Sequence, residues 1–152
     1  MKSIQDFREN VNLNSKIVVE GREYTVRQII KFRLDDGDIY YKLFLSDDWI
    51  LADDMENNYF LFVKRVETNL PIEEKPLIYD NQEFEFLYSA HNVVAEEVWG
   101  EGLFTEGDVE SFSDYRSDRN YLSLGYDEKT NERMDMFGKI VAMDEVDVKK
   151  GK

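Results

Sequence analysis

His91 is the one histidine in the chain, and there is no cysteine. A single imidazole cannot complete a multi-histidine metal site, and a Ser–His–acid arrangement would have only this base. No nucleophile-elbow motif accompanies it, so an ordinary hydrogen-bonded role is expected. The absence of thiols excludes a disulfide framework and a thiolate metal site. Asp35, Asp36 and Asp38 around Gly37 offer the oxygen ligands that calcium prefers, but they lack the alternate spacing and distal glutamate of an EF-hand. A tight hairpin selects the same residues, and a turn is the expected reading. Glu96 and Glu97 cannot share acid–base work, because neighbours on a strand point to opposite faces. Trp99 to Gly107 is rich in glycine yet contains no cation, so it would repel a phosphate and is expected to form a turn or bulge. No catalytic residue, cofactor site or metal site follows from these groups.

What remains is a charge pattern. The net charge is −14, which disfavours nucleic acid and an anionic membrane surface as partners. The excess is uneven: residues 1–76 carry 15 acidic and 11 basic side chains, and residues 77–152 carry 18 and 8. From Glu96 to Asp118 there are eight carboxylates and one cation, Arg116. Glu96, Glu97, Trp99, Glu101, Phe104, Glu106, Asp108 and Glu110 are therefore the candidate partner-binding residues. In this reading an acidic, non-enzymatic module docks a basic protein or a polycation, with the two aromatic rings as anchors. The plainer alternative is a solvated face that keeps the protein soluble. The rival function is a small-molecule or enzyme site in a cleft between two halves of the chain, drawing on His91, Tyr115, Arg116 and Arg119.

The elements that must position these groups are mostly strands. Ile4, Phe7 and Val11 recur at helical spacing behind Ser3 and Asp6, which predicts a short N-terminal helix. The period then falls to two: Tyr24, Val26, Ile30 and Phe32 alternate with Thr25, Arg27, Lys31 and Arg33. Asp35–Asp38 turns this strand into Ile39–Leu45, and Trp49–Ala52 and Tyr59–Lys64 complete a first meander. Thr68 to Pro76 holds both prolines of the chain and reads as a connection. Beyond it Phe84 to Tyr88, Val93 to Trp99, Val109 to Tyr115, Tyr121 to Leu124 and Met134 to Val141 supply further strands. Val94, Ala95 and Val98 also fit helical spacing. The expectation is one mainly β domain, 1–152, in which two similar antiparallel meanders, 17–66 and 77–148, pack as a sandwich or as paired small barrels. Tyr24, Val26, Ile30, Phe32, Leu43, Leu51, Leu61 and Val63 should hold one buried face, and the lysine-rich tail Lys149–Lys152 should fray. The start of the chain has no apolar signal segment and no membrane span follows, so a cytoplasmic location is expected.

Gly21-x-x-Tyr24-x-Val26, the turn before Trp49-x-Leu51, Glu101-Gly102, Asp114-Tyr115, Leu122-Ser123 and Gly138 occur in an order that resembles a family of small bacterial proteins. That family is classed as a domain of unknown function built from two β-rich halves. The resemblance runs from about Ile17 to Val148. The chain departs from the pattern at Tyr40-Tyr41-Lys42, where the family usually has Trp-x-Glu. The resemblance implies an accessory partner, often encoded beside membrane-stress or polyamine-enzyme genes, and it carries no catalytic residues to transfer.

Overall fold

The computed structural model describes residues 3–150. The N-terminal segment winds as α1 (Ile4–Asn10), whose first turn is capped by Ser3 Oγ accepting the Asp6 N–H at 3.0 Å. Ile4 and Phe7 are buried, as the helical spacing predicts. The strands follow as β1 (Lys16–Val19), β2 (Arg22–Arg33), β3 (Ile39–Leu45), β4 (Trp49–Asp54) and β5 (Tyr59–Val66). After the proline-bearing connection come β6 (Leu77–Tyr79), β7 (Gln82–Gly100), β8 (Val109–Ser117), β9 (Asn120–Asp127), β10 (Asp135–Ala142) and β11 (Val146–Lys149).

Eight of these strands close an antiparallel barrel in the order β2-β3-β4-β5-β10-β9-β8-β7, with β7 returning to β2. The expected sandwich or pair of small barrels gives way to this single closed wall. Runs β2–β5 and β7–β10 do not stack face to face; they join edge to edge at β5–β10 and β2–β7. Closure removes free sheet edges that a sandwich would leave. Both seams demand close backbone approach. A Cβ at Gly138 would stand 2.0 Å from the Phe62 carbonyl oxygen, and one at Gly100 would stand 2.2 Å from that of Arg27. Glycine at these two positions is what lets the seams meet.

The segment Val93–Trp99 is strand, not helix, because it is the second half of β7 and supplies the edge that pairs with β2. The first half of β7 pairs with β6 and β8 instead. Register shifts at Phe86/Tyr88 and Ala90/Val93 bend the strand between those roles. The shift also breaks the expected alternation: Phe86 packs outside the barrel, while Tyr88 pairs with Asp114 and faces in. The charged tail is less frayed than expected, since Lys149 pairs with Lys16 in β11. Gly151 and Lys152 lie outside the described residues.

Along β3, β4 and β5 the barrel wall is buried on both faces, so successive residues such as Leu43–Leu45, Ile50–Ala52 and Phe60–Val63 read as apolar runs. Phe60 and Phe62 face outward onto α1 and β1, whereas Leu61 and Val63 face the barrel interior. The expected core residues are buried except Leu61, which is half-buried, and they occupy two faces instead of one. Tyr24, Val26, Leu43 and Leu51 belong to the outer layer, and Ile30, Phe32 and Val63 to the interior. A bulge between Val26 and Gln28 carries β2 from one layer to the other. Each fully buried large apolar side chain in these layers contributes roughly 1.5–3 kcal/mol relative to exposure. A third cluster, around Phe84, Tyr115 and Leu122, is covered by Leu70 and Ile72 of the connection.

Candidate functional site

One end of the barrel is plugged. The glycine-rich loop after β7 folds back so that the Phe104 ring meets Phe32 edge-on at 5.5 Å. Gln28, buried within β2, fixes it there. Its Nε2 donates to the Phe104 carbonyl at 2.8 Å, and its Oε1 accepts the Phe104 N–H at 2.9 Å. The loop therefore turns, as expected, but its work is to fill the barrel.

The other end is open. The β2–β3 hairpin around Gly37 and the β4–β5 hairpin around Glu56 border a cavity of about 1080 Å³. Ile50, Leu61, Val63, Phe112 and Met136 form apolar parts of its wall. Tyr40, Lys42, Tyr59, Tyr88, Asp114, Tyr121 and Ser123 bring polar groups to it. Most of these follow from strand alternation, as Tyr40 and Lys42 alternate with outward-facing Tyr41 and Leu43, whereas Tyr88 reaches the cavity through the register shift at Phe86/Tyr88.

Toward the plugged end, Lys42 Nζ lies 3.2 Å from Glu110 Oε1, and the Tyr40 hydroxyl donates to the same oxygen at 3.3 Å. The ammonium stands 4.9 Å from the Phe32 centroid, 5.7 Å from that of Tyr40, 5.6 Å from that of Phe104 and 5.7 Å from that of Phe112. A carboxylate and surrounding aromatic rings together offset the desolvation of this cation.

Asp114 lies further along the same inward face of β8 and is only 3% exposed. Tyr121 donates its hydroxyl to Oδ2. Oδ1 has no hydrogen-bond partner, and Asp114 has no ion pair among the described residues. Burial pushes its carboxyl up to about 6, opposed by the hydroxyls of Ser123 and Tyr121 and by the charge of Lys42. The Ser123 and Tyr88 hydroxyls both act on the charge, though neither is aligned as a hydrogen bond to Oδ1. The Tyr88 and Tyr121 phenols are raised, first by burial and next by the Asp114 charge. Tyr88 retains accessible surface because it faces the cavity, while protein encloses its remaining sides.

A third buried carboxylate, Asp53, is satisfied: Arg8 Nε and Nη2 reach its oxygens at 2.7 and 2.9 Å, and the Tyr41 N–H donates at 3.1 Å. This pair ties α1 to the barrel.

The acidic band is not one surface. Glu96 is held bidentate by Arg33 at 2.9 Å, and Glu97 lies 4.0 Å from Lys31. Glu101 and Glu106 are exposed, and Asp108 is half-buried with its carboxylate accepting the Thr105 N–H at 2.9 Å. Trp99 is 41% exposed. Phe104, expected as a surface anchor, is instead the interior plug, and Glu110 turns inward to Lys42 because its strand parity matches Phe112 and Asp114. Of the four groups assigned to a cleft, His91 and Arg116 line the cavity. Tyr115 faces outward and donates to the Glu73 carbonyl at 2.6 Å, and Arg119 contacts Ile140 and Glu145 outside the barrel. His91 Nδ1 lies 3.2 Å from Ser111 Oγ.

Sequence reasoning passed over Lys42, Asp114 and Tyr121. For Lys42 the available signal was a charge standing alone inside the apolar strand Ile39–Leu45, whereas Asp114 shares its strand with Glu110 and Arg116 and gave no such signal. A charge placed like Lys42 needs a buried partner.

No family model, curated protein or solved structure matches the chain. Among the described residues, no helix is long and apolar enough to cross a membrane. Among the same residues, no group of three or more histidine or carboxylate side chains is placed to hold a metal ion.

Proposed function

We propose that this protein binds a small organic molecule inside its barrel without transforming it. The observation that carries the reading is the open cavity of about 1080 Å³, with apolar wall positions, tyrosine side chains and the Asp114 carboxylate inside it and further carboxylates lining it. Ligand sites commonly occupy roughly 300–1,000 Å³ and combine apolar walls with few polar groups. Barrels of eight strands either fill with side chains or hold one small ligand. Here the plugged end follows the first solution and the open end the second.

Titration with the neutral, solvatochromic dye Nile red tests this. One saturable, blue-shifted site per chain is expected. Leu61→Trp, which fills the cavity from β5, should weaken the dye by at least about tenfold while far-UV circular dichroism is preserved. An unsaturable signal, or a folded filler variant that binds normally, would overturn the proposal.

The acidic band supports a second reading, docking of a basic protein or polycation, through exposed Trp99 beside Glu101. Reversing Glu101, Glu106 and Asp108 to Lys should then abolish capture of a basic partner without unfolding the chain. This reading has fewer residues at its disposal, because Phe104 and Glu110 are engaged inside the barrel.

A further inference from the structure

Resting on the reading of the barrel as a ligand site, we infer that the ligand carries a protonated amine, which pairs with the Asp114 carboxylate beside the rings of Tyr88 and Tyr121.

Three observations converge on a cation. Asp114 is nine-tenths or more buried, lines the cavity and leaves one oxygen without a donor. A buried carboxylate oxygen without a donor is costly, and an N–H of a charged group is the strongest available remedy. The Asp114 charge also reaches the neighbouring Tyr88 and Tyr121 phenols, which burial raises first.

The second observation is an internal precedent. The barrel already buries one ammonium, Lys42, against a β8 carboxylate and a set of aromatic rings. At Asp114 the carboxylate and the phenols recur, and the ammonium does not. The third is the field at the entrance. Among cavity-lining residues there are seven carboxylates and three cationic side chains, and two of those cations, Arg8 and Lys42, are ion-paired. The rim around Asp35, Asp54 and Glu56 therefore attracts cations and repels anions.

An organic amine fits better than an inorganic ion. One carboxylate oxygen and neutral phenols supply too few ligands for a hard divalent cation. The apolar wall of Leu61, Val63 and Met136 calls for a hydrocarbon body behind the charged head.

The test uses three probes with one phenyl body and different heads: phenethylamine, phenethyl alcohol and hydrocinnamate. Calorimetry at about pH 7.5 keeps the carboxyl ionised and the amine protonated. The amine should bind about ten- to hundredfold more tightly than the alcohol, with hydrocinnamate the weakest. Asp114→Asn should erase that preference, with the amine falling to the level of the alcohol measured in the same variant. An alcohol that matches the amine, or a preference that survives in Asp114→Asn, would overturn the inference. Should the variant fail to fold, the wild-type ranking at high salt decides. Rim charges are screened and a buried carboxylate is not, so a preference that salt erases counts against Asp114. Nile red and alcohol binding without amine preference would sink this inference alone; no binding of any probe or dye would sink the barrel reading too.

Discussion

Glu110 and Asp114 occupy the same inward face of β8 with Phe112 between them, yet the barrel treats them differently. Glu110 receives a cation from the chain, Lys42, and a hydroxyl from Tyr40. Asp114 lines the cavity without an ion pair among the described residues; Tyr121 donates to one of its oxygens and the other has no aligned donor. Both carboxylates carry the desolvation cost of a barrel interior, and only one is compensated by a cation of the chain itself. The closed site is therefore an element of stability. The open one stores an unmet electrostatic demand that a diffusible group can meet.

The sharpest way to break this contrast is to remove the intrinsic cation. Lys42→Met leaves Glu110 buried without its partner and should destabilise the protein by about 3–5 kcal/mol in urea denaturation. Adding Glu110→Gln, which keeps an acceptor for Tyr40, should recover most of the loss. A single-variant cost below about 1 kcal/mol would mean that the pair behaves as a solvated surface bridge, and the distinction between the two sites would collapse.

The open site should respond in the opposite direction. The Asp114 carboxyl is raised to about 6 in the fold, against about 3.9 in an unfolded chain. Between those values the folded state binds more protons than the unfolded one. The group's contribution is thus most favourable below about pH 4 and is lost as pH rises through about 6. Asp114→Asn, which carries no charge to bury, should stabilise the ligand-free protein at pH 7 by about 1–3 kcal/mol. That gain should vanish near pH 4. Stability measured for both proteins across that range decides it: a variant weaker than wild type at pH 7 would show that the carboxylate is already compensated.

Much of this contrast was within reach of the sequence, and the reasons for what was missed are physical. The helix cap at Ser3, the Gly37 hairpin and most strands follow from local spacing, because capping, turns and alternation depend on near neighbours. Barrel closure does not. It depends on two seams between residues distant in sequence, such as Val63 with Gly138 and Ile29 with Trp99. Bulges then invert parity in ways that alternation cannot foresee, which is why Tyr88 faces inward where the period from Phe84 and Phe86 had implied a common side. Glu110 was misread for a related cause: in a charge count it looks like part of an acidic surface, and only strand pairing reveals that it meets Lys42.

The smallest expected effect probes the cavity that Asp114 lines. Leu61 faces the cavity from β5 and is half-buried, so Leu61→Ala enlarges a void that already exists and removes few contacts. The large penalties for truncating core residues come from cavities newly opened in close-packed surroundings. At the plugged end that condition holds: Phe32 is fully buried and stacks on Tyr40 at 5.1 Å, and Phe32→Ala should cost about 3–5 kcal/mol. Leu61→Ala should instead cost about 1 kcal/mol or less, a value typical of sites where little close packing is lost. Chemical denaturation of the two variants in parallel reads the difference directly. Equal penalties would mean that the cavity wall at Leu61 is packed as tightly as the plugged end, leaving no room for a ligand in the space that Asp114 lines.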